Sequence, residues 1–388
     1  MNKIRSAKRM DDIQPFHVME LLTRARQLEA EGRDIIHMEV GEPDFTTPEP
    51  IIQAGIEALQ AGKTHYTPAA GIPELRLALS GFYQQRYGVK IDPARILITP
   101  GASGALLLAT GVLLDIGDEL IMADPGYPCN RNFTRFVEAR ARMVPVDADS
   151  GYQLTAEHVK QAWNAQTAGV LLASPANPTG TLVGAEQLKA IHQQVAAKGG
   201  SLIVDEIYHG LVYDSEAQTA LAISDDIFVI NSFSKYFNMT GWRLGWMVVP
   251  QAYIPLADKL AQNLFLAAPT LAQHAALACF EPETLAILEA RRLEFQKRRD
   301  FLLPALRELG FDIPLTPEGA FYIYANCESV TDDSFSFSQE LLEEAGVAVT
   351  PGLDFGHHRA AQHLRFAYTT SVERLAEGVE RIRKFLEK

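Results

Sequence analysis

Short apolar runs recur through the middle of the chain, at residues 96–98, 120–122, 170–172, 202–204 and 228–230. Each has the length of a buried strand rather than a helix, and several end in a polar cluster. A sixth run at 244–249 reads the same way. Between two of them, residues 186–198 place Leu188, Ile191 and Val195 at helical spacing and stop at Gly199-Gly200. Strands alternating with helices predict an α/β domain with a mostly parallel sheet. Ahead of this region the pattern predicts a polar arm and a helix near 18–30. After Pro269 the pattern changes. A charge-rich helical stretch over 283–309, short strands at 321–324, 347–349 and 364–368, and a last helix over 372–386 predict a second, α+β domain joined to the first by a long helix.

The 388 residues suffice for two or three domains whose cores need no disulfide or metal to staple them. Asp and Glu outnumber Lys and Arg by 48 to 35, a formal charge of −13. That balance argues against nucleic-acid or anionic-membrane partners, which need basic surface, but leaves room for a local basic pocket. Cys129, Cys279 and Cys327 form neither a C-x-x-C pair nor a zinc spacing, which predicts a reducing, cytoplasmic setting and no metal site. No apolar run reaches the roughly 18 residues of a membrane span. The charged opening segment lacks the apolar core of a secretory signal.

Several superficial motifs fail on spacing. Gly62-Lys63-Thr64 would need a glycine at position 57, which is Glu57. Gly101 to Ala105 lacks the second glycine of a nucleophile elbow. His357, His358 and His363 do not keep a metalloprotease spacing and are expected in a surface loop.

The polar clusters are more telling, because ligands of open parallel sheets bind beyond the carboxyl ends of the strands. After 96–98 a small-residue turn, Thr99 to Gly104, opens an apolar helix over 105–114 and offers backbone N–H groups to an anion. After 120–122, Tyr127 stands at the proline corner Asp124-Pro125-Gly126-Tyr127-Pro128, where its ring can stack on a flat ligand. After 170–172, Asn177-Pro178 marks a turn with a candidate cis bond. After 202–204, Asp205 is costly to bury unless it meets a cation. After 228–230 comes the strongest block, Ser232 to Gly245, with Lys235 beside serines and Arg243 between glycines. Its Phe, Tyr, Met and Trp residues imply partly apolar surroundings, which lower a lysine's pKa and make it nucleophilic. Taken singly, these features also read as a tight βα turn, a packed tyrosine, a plain loop, a strand leaving the core and a solvated lysine.

Taken together and in order, Gly41-Glu42-Pro43-Asp44-Phe45, Tyr66-Thr67-Pro68, Gly71 to Arg76, Asn177-Pro178-Thr179-Gly180, Asp205-Glu206-Ile207-Tyr208, the Ser232–Gly245 block and Leu364-Arg365-Phe366 resemble the fold-type I pyridoxal-phosphate aminotransferases of the aspartate-aminotransferase-like class I/II group. The resemblance spans about residues 32–371. It implies an α/β fold with a large, mostly parallel seven-stranded sheet domain at 46–282. A C-terminal α+β small domain follows at 283–388, with residues 1–45 as N-terminal arm and part of the small domain. It implies that Lys235 carries pyridoxal 5′-phosphate as an aldimine, that Asp205 pairs with the ring nitrogen, and that Tyr208 and Asn177 meet the ring's phenolic oxygen. Tyr127 would stack on the ring. Gly101, Ala102, Ser103, Ser232 and Arg243 would hold the phosphate, and Tyr66 would reach it from the other subunit of a homodimer. Arg365 would fork onto the substrate α-carboxylate beside Gly41 and Asn177.

The implied activity is transfer of an amino group from an L-amino acid to a 2-oxo acid. Dicarboxylate-specific members carry a second cation that no residue of this sequence can be assigned to. Phe16, Phe45, Tyr322 and Phe355 are aromatic candidates for a neutral side-chain pocket, or else core. A carbon–sulfur β-lyase would share Lys235, Asp205 and Arg365. A ligand-sensing regulator on the same fold is a remoter alternative, since about 40 residues precede the motifs and the chain is acidic.

Overall fold

The computed structural model describes residues 5–388. A two-residue strand, β1 (Ile36–His37), precedes the region of alternation. Then β2 (Ile96–Thr99), β3 (Glu119–Asp124), β4 (Arg140–Pro145), β5 (Thr167–Ala173), β6 (Ser201–Asp205), β7 (Phe228–Ser232) and β8 (Gly245–Val248) form one sheet in the order β2-β8-β7-β6-β5-β3-β4. The pairs from β4 through β7 are parallel, and β8 runs antiparallel to both neighbours. Successive side chains serve opposite faces. Ile203 and Ile230 join one apolar cluster, while Val204 and Val229 join the other. Both faces being covered explains why these strands read as continuous apolar runs rather than alternating ones.

Register fixes where chemistry can gather. Ala173 pairs with Asp205, and Asp205 with Ile230, so Ser232 lies just beyond. Ser232 and Thr99 both pair with Gly245. The polar clusters that follow β2, β5, β6 and β7 therefore share one edge of the sheet.

The C-terminal part holds β9 (Tyr322–Asn326), β10 (Val347–Ala348), β11 (Thr350–Pro351) and β12 (His363–Ala367). Strands β11, β12 and β9 form an antiparallel sheet, and β10 pairs with β1 in parallel. The N-terminal strand thus joins the C-terminal part rather than the large sheet. The 27-residue helix Pro282–Glu308 runs between the two regions. Its buried Arg298 clamps both Asp44 oxygens at 2.7 and 3.0 Å. That bidentate pair anchors the Gly41–Phe45 segment to the helix.

Three expectations need correction. Strand β4 was not signalled, because it is an edge strand of mixed sequence whose residues are all at least partly exposed, so it carries no apolar run. The helix after β2 starts at Gly101, not 105, which puts its free N–H groups in the turn itself. His363 is no surface-loop residue: it is 4% exposed on β12, stacked on Tyr324 at 4.6 Å, with Nδ1 2.9 Å from the Arg359 carbonyl oxygen. His357 and His358 do lie in a loop.

Candidate active site

A cavity of about 240 Å³ opens at the carboxyl edge of the large sheet. At its centre Lys235 sits one turn beyond β7. The turn is held by local bonds: the Ser232 hydroxyl donates to the Leu244 carbonyl (3.1 Å) and lies 3.0 Å from Ser234 Oγ, and Thr240 Oγ1 donates to the Ser234 carbonyl (2.8 Å). Lys235 Nζ donates to the Gly41 carbonyl and lies 5.6 Å from the Phe321 ring centre. Burial lowers its pKa to about 8. The Glu42 carboxylate opposes that shift, the Arg365 and Arg243 cations add to it, and Asp205 opposes it.

Asp205 ends β6 and is 3% exposed. Its Oδ1 accepts from the Ile207 N–H at 3.0 Å, and among the described residues no cation forms an ion pair with it. Burial raises its pKa to about 7, against the Ile207 N–H and the Lys235 charge. The Tyr208 hydroxyl is 2.8 Å from that of Tyr322, and burial holds the Tyr208 pKa well above its ordinary value.

Arg365 projects from β12, paired with Thr350 on one side and Tyr324 on the other. Nη1 donates to Asn177 Oδ1 at 3.0 Å, and Nη2 donates to the Glu39 carbonyl and to Thr350 Oγ1 at 3.2 Å. The guanidinium lies over Tyr322 at 4.3 Å and Phe355 at 4.8 Å. Its Nε is buried without a partner. Gly41 must be glycine, because a Cβ there would fall 2.1 Å from the Tyr322 hydroxyl.

Away from Arg365, the turn at Gly101, Ala102 and Ser103 opens the helix Gly101–Leu113. Gly101 has φ +70°, and a Cβ on it would meet Arg243 Nη2 at 2.6 Å. Arg243, itself left-handed at φ +53°, donates from Nη1 to the Thr240 carbonyl at 2.9 Å. Free helix N–H groups and a guanidinium thus face the same space, the arrangement that binds phosphate.

The cavity brings together Gly41, Ala102, Ser103, Tyr127, Asn177, Asp205, Tyr208, Ser232, Lys235, Arg243 and Arg365, with Gly101 directly behind Arg243. It does not include Tyr66, which stands 85% exposed on its loop. Asn177-Pro178 is cis. Of the aromatic candidates, Phe16 and Tyr322 line the cavity. Phe45 packs on Phe295 beneath Arg298, and Phe355 lies behind Arg365. Sequence reasoning missed Val18, Leu106, Ala173, Ile207, Ser234 and Thr240 as lining residues. Ser234 and Thr240 fall inside the Lys235 block and could have been taken from it. The apolar four carry no chemical signal, and only the folded chain places them here.

Residues 33–382 match the family model for aminotransferase class I and II. The chain is 39% identical over 385 residues to a (5-formylfuran-3-yl)methyl phosphate transaminase of Methanocaldococcus jannaschii, covering 98% of this chain and all of that one. It is 38% identical to a valine–pyruvate aminotransferase of Mycobacterium tuberculosis, covering 96% and 97%. A solved aminotransferase structure from Mycobacterium tuberculosis superposes with a TM-score of 0.96 at 38% identity, over 99% of this chain and 100% of that one. The chain belongs to the class I and II aminotransferase family. It has the fold-type I architecture, is an enzyme that transfers amino groups, and uses pyridoxal 5′-phosphate. These relatives bear aminotransferase names, and nothing in them favours a β-lyase.

The residues fit that cofactor. A lone buried carboxylate suits a protonated ring nitrogen, the Gly101 turn with Arg243 suits a phosphate, and Lys235 offers an amine between them. In the cofactor-free aminotransferase, Asp205 is protonated to a higher pH when folded than when unfolded. Both states are neutral well below pH 4. Above that the unfolded chain ionises freely, while the folded chain either keeps its proton or holds a desolvated charge. Stability attributable to Asp205 therefore falls as pH rises toward about 7. The Asp205→Asn apoprotein should be more stable than the unaltered one by roughly 2–4 kcal/mol at pH 8, converging with it at low pH. Urea unfolding across pH measures this; a gap that does not grow with pH would contradict it.

Proposed function

We propose that the aminotransferase works through three groups in this cavity: Lys235 as anchor and proton carrier, Asp205 as counter-charge to the cofactor ring, and Arg365 as the fork for the substrate α-carboxylate. The observation that carries this reading is their convergence: a partly buried amine of lowered pKa, an unneutralised buried carboxylate and a guanidinium already oriented by Asn177, Glu39 and Thr350. Pyridoxal 5′-phosphate supplies an aldehyde carbon for the migrating nitrogen and a ring that withdraws electrons from the substrate Cα.

The protein's own tasks follow from its chemistry. Lys235 Nζ, neutral in more molecules than an exposed lysine would be, takes the Cα proton of the bound amino acid and returns it. Asp205, buried at the cavity wall, would favour a proton on the cofactor's ring nitrogen. Tyr208 and Asn177 would meet the ring's phenolic oxygen, and Tyr127 would lie against the ring. Ser232, Arg243 and the N–H groups at Gly101, Ala102 and Ser103 hold the phosphate. Arg365 and the Gly41 backbone align the substrate so that the Cα–H bond faces Lys235.

The same reading divides the chain into an arm and part of the small domain at 1–45, a large domain at 46–282 and a small domain at 283–388. The pairing of β1 with β10 supports that division. Tyr66 serves the phosphate of a partner subunit, which its exposure and its absence from the lining of its own cavity support. Two such sites would lie on one isologous homodimer interface. Three free thiols support a cytoplasmic setting, and no helix among the described residues is long and apolar enough to cross a membrane.

Borohydride treatment of the yellow holoenzyme should fix the cofactor to the peptide that contains Lys235. Labelling of a different lysine would remove Lys235 from its role. For the shared site, Tyr66→Ala and Lys235→Ala, each severely impaired alone, are unfolded and refolded together. Random pairing makes half the dimers hybrid with one intact site of two, so about a quarter of full activity should return. Hybrid dimers that form without any gain would show that Tyr66 acts within its own chain.

A further inference from the structure

One wall of the cavity takes no part in the roles above. We propose that Phe16 and Val18 form the side-chain compartment for the substrate, that Asp354 is the positioning residue that clamps this wall, and that the compartment selects amino acids with bulky uncharged side chains over dicarboxylic ones. The inference rests on the aminotransferase reading, with Arg365 on the α-carboxylate.

Phe16 and Val18 line the cavity and flank the first residue of the helix His17–Ala30. That helix has no cap of its own, since its N-cap residue is Phe16, which offers no oxygen. Its first two N–H groups turn instead to one remote carboxylate. His17 N donates to Asp354 Oδ1 at 2.9 Å, and Val18 N donates to Oδ2 at 2.8 Å. A carboxylate is the favoured partner for a helix N-terminus, and at 3% exposure Asp354 is shielded from competing water.

The same loop reaches two other sides of the compartment. Phe355 lies under the Arg365 guanidinium at 4.8 Å, and its carbonyl accepts from the Gly126 N–H at 2.8 Å, next to Tyr127. Tyr127 in turn meets the Phe16 ring edge-on at 6.3 Å. Asp354 and Phe355 therefore tie the Phe16 wall to the group proposed to fix the α-carboxylate.

Charge decides what fits. The cations lining the cavity are Lys235, Arg243 and Arg365. The first two belong to the cofactor's end of the site, and the third is engaged by Asn177, Glu39 and Thr350. Arg131 donates to the Asp354 carbonyl at 3.1 Å and does not line the cavity. A distal carboxylate carried to Phe16 and Val18 would lose its hydration and, from this chain's described residues, gain no counter-ion. A large apolar side chain would gain burial there.

The test follows the donor half-reaction by the cofactor's absorbance, with leucine, phenylalanine, alanine and aspartate. Leucine and phenylalanine should exceed aspartate by about tenfold or more in kcat/KM. Phe16→Ala should cut the leucine-to-alanine preference about tenfold. Asp354→Ala should cut the same preference, mainly through KM, and speed hydrogen exchange at the amides of residues 17–19, with Asp354→Asn intermediate because one acceptor oxygen remains. A preference for aspartate, an unchanged leucine-to-alanine ratio in Phe16→Ala, or unaltered exchange in Asp354→Ala would overturn the proposal. A holoenzyme inert toward every amino acid would instead overturn the aminotransferase reading itself.

Discussion

A carboxylate buried at the end of a central strand, with no ion-pair partner among the described residues, is the constraint around which this structure is arranged. Asp205 is carried there by β6, between β5 and β7, and is almost wholly buried at the wall of the cavity. In such surroundings an unpaired charge is expensive, and the raised pKa states that expense in another form. The same low-dielectric surroundings depress the pKa of Lys235. One physical cause thus moves an acid up and a base down, until both can change protonation near neutrality. In the proposed reading, the bound cofactor would supply the positive partner that the described residues do not.

Around this pair the rest of the site is built by clamps from distant sequence. Asp44 on Arg298 anchors the segment that includes Gly41. Asn177, Glu39 and Thr350 set the plane of Arg365. Asp354 holds the N-terminal helix. Each clamp joins the large sheet or the N-terminal segment to the C-terminal part, so the cavity exists only when the whole chain is folded. The orphaned Nε of Arg365 is the mark left by this precision: two of its nitrogens are fixed by the protein, while the third is buried without a partner.

Much of this was legible in the sequence, for identifiable reasons. Strands buried on both faces announce themselves as unbroken apolar runs, which is why β2, β3, β5, β6 and β7 fall where the pattern put them. The edge strand β4 did not, because all its residues are at least partly exposed and Arg140 and Arg142 interrupt it. His363 was misplaced because a histidine stacked on a tyrosine inside a small sheet looks, in sequence, like one more loop histidine. The polar residues of the site were readable because each closes a strand or opens a turn with a chemically distinctive group. Leu106, Ala173 and Ile207 were not, since apolar residues on the wall of a cavity are indistinguishable from core until the fold brings them together. In sequence Phe16 reads equally as a neutral side-chain pocket or as core, and what places it is Asp354, some 338 positions away, which nothing in the local sequence connects to it.

The central claim is that Asp205 waits as an unneutralised buried carboxylate for a protonated ring nitrogen. The most direct measurement is equilibrium binding of two ligands to the cofactor-free protein: pyridoxal 5′-phosphate, and the analogue in which a C–H group replaces the ring nitrogen. The account predicts that the natural cofactor binds about tenfold or more tightly than the analogue, on the scale of one charge-assisted hydrogen bond, and that Asp205→Asn abolishes the difference. Equal affinities for the two ligands in the unaltered protein would contradict it.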